Sequence, residues 1–272
     1  MQRRRLFERA VVLLATVALA GCAGPGWKLT WSDEFNGTTA GEAPDATKWS
    51  FDIGGGGWGN HQLEFDTDRT ANASLDGQGN LAITARLELN KLGGKNQYSS
   101  ARMITRGHLE QKFGRYEARI KMPTGRGLWP AFWLIGANCD QSPWPACGEI
   151  DVMEYRGQEP GLVHGSLHGP GYSAGAAITR PFSLPGGAAF DADFHLFAIE
   201  WTGDQIAFFV DGTLYNTIFA SQVPGSRWVF DHPFFVVLNL AVGGDYVGPP
   251  DNSVNFPQSM LVDYVRVYER DP

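Results

Sequence analysis

Apolar and polar residues alternate along several short stretches, which is the period of a half-buried β-strand. In residues 115–122 every second residue is apolar and the others are Arg, Glu or Lys. The other strand signals are two runs that flank a Thr-Gly-Asp turn, as in a hairpin, and two later apolar runs: 197–201 with 206–210, 234–240 and 261–268. The pattern therefore predicts a chain of short strands.

No stretch from Trp27 onward keeps a helical period for more than a turn or two. The 272 residues include 34 Gly and 16 Pro, and only 19% are charged, which suits many strands and turns. Such a chain is expected to form an all-β antiparallel sandwich or barrel. We favour the sandwich, as a single domain over residues 27–272.

The N-terminus has the pattern of an export signal. Four Arg residues precede an apolar run at 10–20 that is too short to span a bilayer. The run ends in Leu-Ala-Gly-Cys, which resembles a bacterial lipobox. We expect residues 1–21 to be a lipoprotein signal peptide, with Cys22 acylated and 22–26 a short tether. The protein would then be anchored to the membrane outside the cytoplasm, or secreted; the alternative is an ordinary signal peptide.

The charge argues against nucleic-acid binding. Residues 1–21 hold four Arg and one Glu, so their removal changes the formal net charge from −7 to −10. An acidic domain without a basic stripe is a poor partner for nucleic acid.

Two cysteines remain after Cys22. Cys139 and Cys147 flank a loop-like segment, and an oxidising exterior favours a disulfide between them. Closing a loop of about 8 residues is worth roughly 2–3 kcal/mol on the chain-entropy model. Buried free thiols are a weaker interpretation, and a metal site is weaker still because no His lies between them.

The segment Gly-Glu-Ile-Asp-Val-Met-Glu-Tyr at 148–155 carries the candidate chemistry. Glu149 and Asp151 are two apart and share a face of a strand. Glu154 would point to the other face of a regular strand, where a lone carboxylate is costly to bury. One extra residue, a β-bulge at Val152–Met153, would return it to the same face, and we predict that bulge.

Three neighbouring carboxylates repel one another, so at least one should keep its proton near neutral pH. Glycoside hydrolysis requires this asymmetry, because one ionised carboxylate attacks while a protonated one releases the leaving group. A solvated charged edge would not explain the apolar residues between the acids, and a calcium cluster usually needs a loop. Catalysis is therefore the favoured interpretation.

At these residues the sequence resembles glycoside hydrolase family 16, in its laminarinase-type form Glu-x-Asp-x-x-Glu. Four further segments match the family in order along the chain: 31–37, 58–65, 128–134 and 239–244. The resemblance implies a concanavalin A-like jelly-roll sandwich of two curved antiparallel sheets with a concave substrate cleft. It also implies retaining hydrolysis, with Glu149 as nucleophile, Glu154 as acid and base about 5–5.5 Å away, and Asp151 tuning the nucleophile.

The resemblance also assigns substrate contacts: Asn60, Arg102, Trp129, Trp133, His168, Asn239 and Tyr246. Trp129 and Trp133 are four apart and share a strand face, where they could stack on sugars or simply pack in a core. A lone His such as His168 is more often structural. Tyr246 stands where laminarinase-type members usually carry Trp, which bears on the linkage preference.

Glu34, Gly79 and Asp263 match a structural calcium site of the family on the convex face, and two carboxylates with a carbonyl suit a hard cation. No cofactor is expected for catalysis itself. The expected substrate is β-1,3-glucan, cleaved within the chain by a monomer. The alternatives are another family 16 specificity, for β-1,3-1,4-glucan or a β-galactan, and a non-catalytic carbohydrate-binding surface lipoprotein.

Overall fold

A computed structural model describes residues 26–94 and 96–271. The predicted signal peptide and the predicted lipid attachment site at Cys22 lie outside the described residues. Among those residues, no helix is long and apolar enough to cross a membrane.

The described chain is almost entirely β-structure. The first nine strands are β1 (Trp27–Asp33), β2 (Ser50–Phe51), β3 (Glu64–Asp66), β4 (Ala73–Leu75), β5 (Leu81–Leu92), β6 (Asn96–Ser100), β7 (Arg102–Ile104), β8 (Gly114–Lys121) and β9 (Leu128–Gly136). The others are β10 (Glu149–Tyr155), β11 (Leu162–His168), β12 (Ile178–Ser183), β13 (His195–Trp201), β14 (Gln205–Val210), β15 (Thr213–Phe219), β16 (Phe234–Val242) and β17 (Gln258–Arg270). Single 3₁₀ turns occur at Ala174–Ala176, Pro185–Gly187, Ala220–Gln222 and Pro224–Ser226.

The strands form two sheets. One has the order β15-β14-β13-β8-β17-β5-β6-β3, with β1 added at β17 and β4 at β5. The other has the order β12-β11-β10-β9-β16-β7-β2. All named pairs are antiparallel except β3 with β6. The predicted all-β sandwich is confirmed, and the predicted strands and hairpin correspond to β8, β13 with β14, β16 and β17.

The main core lies between the two sheets, and the alternation of side chains along each strand explains which residues are buried in it. On β9, Leu128, Phe132 and Leu134 point into this core. The intervening Ala131 and Trp133 lie on the opposite face, in a second cluster with neighbours from β16 and β7. Both faces of β9 and β16 therefore carry apolar residues, which is why these strands read as continuous apolar runs rather than as alternating strands.

The predicted disulfide is confirmed. Cys139 and Cys147 are bonded, with their Cα atoms 5.0 Å apart. Both lie in the loop that joins β9 to β10, so the bridge closes the turn immediately before Glu149.

Candidate active site

The bulge in β10 places all three acids on one face. Asp151 pairs with Ser166 on β11, but Glu154 pairs with His164, so three steps along β10 match two along β11. The same extra residue appears against β9, where Asp151 pairs with Trp133 and Glu154 with Ala131. The predicted bulge at Val152–Met153 is confirmed. It buries both residues in the core and leaves the carboxylates facing away from it.

Gly148 sets the entry into this strand. Its φ is +75°, a conformation that L-residues with side chains rarely adopt. A Cβ here would also lie 2.9 Å from Phe234 Cζ and 3.0 Å from Val229 Cγ2. A side chain at position 148 would thus displace the strand that carries Glu149.

A cleft of about 800 Å³ lies over the seven-stranded sheet. Its lining includes every predicted catalytic and substrate-contacting residue: Asn60, Arg102, Trp129, Trp133, Glu149, Asp151, Glu154, His168, Asn239 and Tyr246. Residues from six separate parts of the chain converge there. The structure therefore brings together the whole set that the sequence singled out for chemistry and sugar contact.

Glu149 and Asp151 form a close pair beneath His168. Asp151 is 3% exposed and shares a side-chain hydrogen bond with Glu149. His168 Nε2 lies 2.9 Å from Asp151 Oδ2 and 3.6 Å from Glu149 Oε1. Its N–H is not aimed directly at the Asp151 oxygen, which has no donor with hydrogen-bond geometry among the described residues. Trp144 Nε1 donates to Glu149 Oε2 at 2.9 Å.

The tautomer of His168 follows from its other nitrogen. The backbone N–H of Ala174 donates to Nδ1 at 3.1 Å, so a neutral ring carries its proton on Nε2, towards the acids. The nearby oxygens of Glu149 and Asp151 lie within 4.8 Å of this nitrogen and of each other, close enough to hold a metal ion. A ring that presents an N–H there acts as a donor and not as a metal ligand.

Glu154 has its own donors. Trp129 Nε1 donates to Oε1 at 3.1 Å, and Ser166 Oγ lies 3.4 Å from Oε2. Ser166 has a single hydroxyl proton, which it donates to Thr179 Oγ1 at 2.9 Å, so the indole of Trp129 is the better donor to Glu154.

Burial raises the pKa of all three acids. The pKa of Glu149 rises to about 8 and that of Asp151 to about 7, chiefly because the charged forms lose hydration. The pKa of Glu154 is raised well above 4.5, by burial first and by the charge of Asp151 second. The raised pKa lets Glu154 keep its proton near neutral pH, which is the property that an acid catalyst needs.

Arg102 is held between two indoles at one end of the cleft. Its guanidinium carbon lies 4.5 Å from the ring centre of Trp58 and 4.7 Å from that of Trp133. Its Nε donates to Asp52 at 3.0 Å. Trp133 in turn donates to Asn239 Oδ1 at 2.7 Å. These contacts fix the orientation of the Trp133 ring on the cleft floor.

Tyr246 lies beside Trp129 in the cleft. Its ring centre lies 4.9 Å from that of Trp129, and the guanidinium of Arg156 sits 4.8 Å from the Tyr246 ring. Its hydroxyl is 3.1 Å from His164 Nδ1. Burial and the nearby Arg156 lower the pKa of His164, so this ring is neutral and can bond with the tyrosine. The phenol is thus held by three neighbours.

Asn60 lies at the rim. Its backbone carbonyl accepts the Asp245 N–H at 2.8 Å, and the neighbouring His61 contacts the Asp245 carboxylate at 2.9 Å. The loop that carries Asn60 is thereby joined to the loop that carries Tyr246.

The predicted calcium residues lie away from the cleft. The register of β17 brings Glu34 and Gly79 to the stretch around Asp263, since β1 and β5 pair with adjacent parts of that strand. Both carboxylates are, however, engaged by arginine: Glu34 with Arg266 at 2.7 and 2.9 Å, and Asp263 with Arg119 at 2.6 Å. As arranged, the three residues do not form a ready cation site, and bound calcium would have to displace Arg119.

Sequence reasoning missed several cleft residues. They are the ones whose role depends on packing between strands or loops: Trp58, Trp144, Arg156, His164, Ser166 and Thr179. The shared strand face of His164 and His168 was visible in the sequence. The pairing of β12 with β11, which places Thr179 beside Ser166, had no such signal.

The model of the family "Glycosyl hydrolases family 16" matches residues 58–265. The chain is 37% identical to a β-glucanase from Rhodothermus marinus over 98% of this chain and 96% of that protein. It is similar to the laminarinase catalytic domain from Thermotoga maritima MSB8, with 45% identity, a TM-score of 0.85, and 91% and 100% of the two chains covered. It is also similar to the endo-β-1,3-glucanase from Pyrococcus furiosus, with 45% identity and a TM-score of 0.84 over 90% of this chain and 95% of that chain.

Proposed function

The protein belongs to glycosyl hydrolases family 16. We propose that it cleaves internal bonds of β-1,3-glucan by retaining double displacement. Glu149 is the nucleophile in this proposal, Glu154 the acid and base, and Asp151 the group that tunes Glu149. The observation that carries the proposal is the bulge that turns Glu154 onto the face of Glu149, with a different set of donors around each carboxyl.

The donors support the division of roles. One proton shared between Asp151 and Glu149 leaves this pair with a single negative charge. Trp144 donates directly to Glu149, and in this proposal the shared proton lies on Asp151 when Glu149 attacks. Glu154 keeps its proton chiefly because it is buried, and the charges of Asp151 and Glu149 add to that effect. Each acid therefore has the protonation state that its step requires.

The steps follow from these states. Glu149 attacks the anomeric carbon while Glu154 gives its proton to the departing glycosidic oxygen, which forms a glycosyl-enzyme. Glu154, now ionised, takes a proton from a water molecule as that water attacks the same carbon and releases Glu149. His168 Nε2 lies close to the carboxylates of Asp151 and Glu149. The His168 ring therefore stabilises the negative charge on Glu149 when that carboxylate is regenerated.

The substrate class rests on the relatives and on the cleft. Proteins named β-glucanase, laminarinase and endo-β-1,3-glucanase match over nearly the whole chain. The lining of the cleft is rich in aromatic rings, which pack on the C–H faces of sugars. Tyr246, where Trp is usual, makes the linkage preference the point to test between β-1,3-glucan, mixed-linkage glucan and β-galactan.

Incubation with laminarin, lichenan, agarose and carrageenan tests the activity. Reducing ends should rise with laminarin, with oligosaccharides as early products. Binding of laminarin without any rise in reducing ends would support a lectin instead. Release from lichenan or agarose alone would assign another specificity of the family.

The same proposal places the enzyme at the cell envelope through a lipid on Cys22. The support is the lipobox-like sequence before that residue. Cys22→Ser should release the protein into the medium, and unchanged retention in the membrane fraction would contradict lipidation.

A further inference from the structure

Trp144 lies in the loop between β9 and β10, outside the strands that carry the acids. Its indole N–H donates to Glu149 Oε2 at 2.9 Å. The side chain is 43% exposed at the cleft wall, and its ring centre is 6.1 Å from that of His168. A loop residue thus touches the carboxyl that we propose as nucleophile.

The loop is closed on itself. The Cys139–Cys147 bond spans a sequence separation of 8, with Trp144 inside the ring. Cys147 is fully buried, and its carbonyl lies 3.1 Å from His232 Nε2. Short backbone hydrogen bonds also hold the loop: Gln141 and Ser142 donate to Asn138, just before the ring, and Ala146 donates to Pro143 within it, each at 2.9 Å. The disulfide fixes the position of the loop relative to Glu149, two residues beyond Cys147.

Several charged groups also face Glu149. Asp151, on the same strand, opposes its ionisation, while His168 on β11 and Arg102 on β7 favour it. Glu154 lies further along the cleft face of β10. Trp144 is the group with a hydrogen-bond donor 2.9 Å from this carboxyl. A hydrogen bond to a charged group favours the charged form.

We propose that the disulfide and Trp144 act as one positioning unit for the nucleophile. The Cys139–Cys147 bond holds the loop so that the indole N–H stays on Oε2 of Glu149, which leaves Oε1 aligned for attack. The inference rests on the proposed role of Glu149. Because the disulfide forms and persists in an oxidising environment, full turnover would depend on such an environment, which exported proteins encounter.

A double-mutant cycle tests this unit. Trp144→Phe removes the N–H and keeps a ring, and Cys139→Ser with Cys147→Ser removes the bond. Each change should lower kcat about 10-fold, the effect of one hydrogen bond to a charged group, with KM within about twofold of the parent. The combined variant should lose no more activity than the more impaired of the two single changes, rather than the product of both losses.

The pH profile gives a second readout. Loss of the donor raises the pKa of Glu149, so the acid limb of kcat/KM should move to higher pH in both variants. Reduction of the wild type with a phosphine should reproduce the shift and should leave the serine variant unchanged. Trp27→Phe, on a strand of the other sheet, is the matched control and should behave as wild type.

Three outcomes would overturn the inference: additive losses in the cycle, a lower melting temperature with unchanged kcat and pH profile, or a serine variant with wild-type turnover. Glu149→Ala, assayed alongside, separates the two proposals. Turnover by that variant refutes the nucleophile assignment, whereas an inactive variant with an additive cycle refutes the positioning unit alone.

Discussion

Asp151 should destabilise the folded protein at neutral and alkaline pH, and its removal should reveal by how much. The carboxyl is 3% exposed, and burial raises its pKa from 3.8 to about 7. Asp151→Asn keeps the shape of the side chain and removes the ionisation. The variant should therefore be more stable than the wild type at every pH at which the Asp151 carboxyl of the unfolded wild type is ionised.

The sign follows from the two pKa values. Below pH 3.8 the carboxyl is protonated in both states and contributes nothing. Between pH 3.8 and about 7 the unfolded chain loses its proton while the folded chain keeps it, so stability falls as pH rises. The whole interval corresponds to an upper limit of about 4 kcal/mol. The ionisation of Asp151 depends on the charges of Glu149 and Glu154, which reduces the effect below this limit. We therefore expect Asp151→Asn to be about 1–4 kcal/mol more stable than the wild type at pH 8.

Equilibrium urea unfolding of both proteins at pH 4, 6 and 8 measures this difference. The stability of Asp151→Asn relative to wild type should grow with pH at an unchanged m-value, while its kcat falls. A difference that is the same at all three pH values would refute the reasoning. Higher stability together with lower turnover would show that the Asp151 carboxyl serves activity at a cost to the stability of the fold.

Two further results are expected. Trp129→Phe removes the indole donor to Glu154, so the pKa of Glu154 should rise further and the basic limb of kcat/KM should move to higher pH. An unmoved limb would mean that this hydrogen bond does not tune Glu154. Because arginines engage both Glu34 and Asp263, millimolar calcium should raise the melting temperature by no more than a few degrees, and EDTA should leave turnover unchanged. A larger rise, or a loss of turnover in EDTA, would contradict this view of the two carboxylates.

The bulge shows how far the sequence could lead. Two carboxylates two residues apart share a strand face by geometry alone, and the third could join them only through an extra residue. The alternative was a lone acid in the core, which is costly enough to exclude. The register shift between Asp151 and Glu154 confirms this reasoning. Local periodicity combined with one energetic argument was sufficient.

Contacts between distant elements were beyond that reasoning. Thr179 supports Ser166 because β12 pairs with β11, and Trp144 reaches Glu149 because a loop folds back over its own strand. The calcium prediction identified segments that do meet at β17. It could not foresee that Glu34 and Asp263 would each pair with an arginine, because those partners come from β17 itself and from β8. Strand neighbours across a sheet have no signature in a single sequence.

The stereochemistry of azide rescue tests the central claim, the division of roles between Glu149 and Glu154, most directly. Glu149→Ala should lose nearly all turnover of an activated laminari-oligosaccharide, and azide should restore it through the space left by the carboxyl. The account predicts an α-glycosyl azide from that variant and a β-glycosyl azide from Glu154→Ala, in which the glycosyl-enzyme still forms. A β-azide from Glu149→Ala, or turnover without azide, would contradict it.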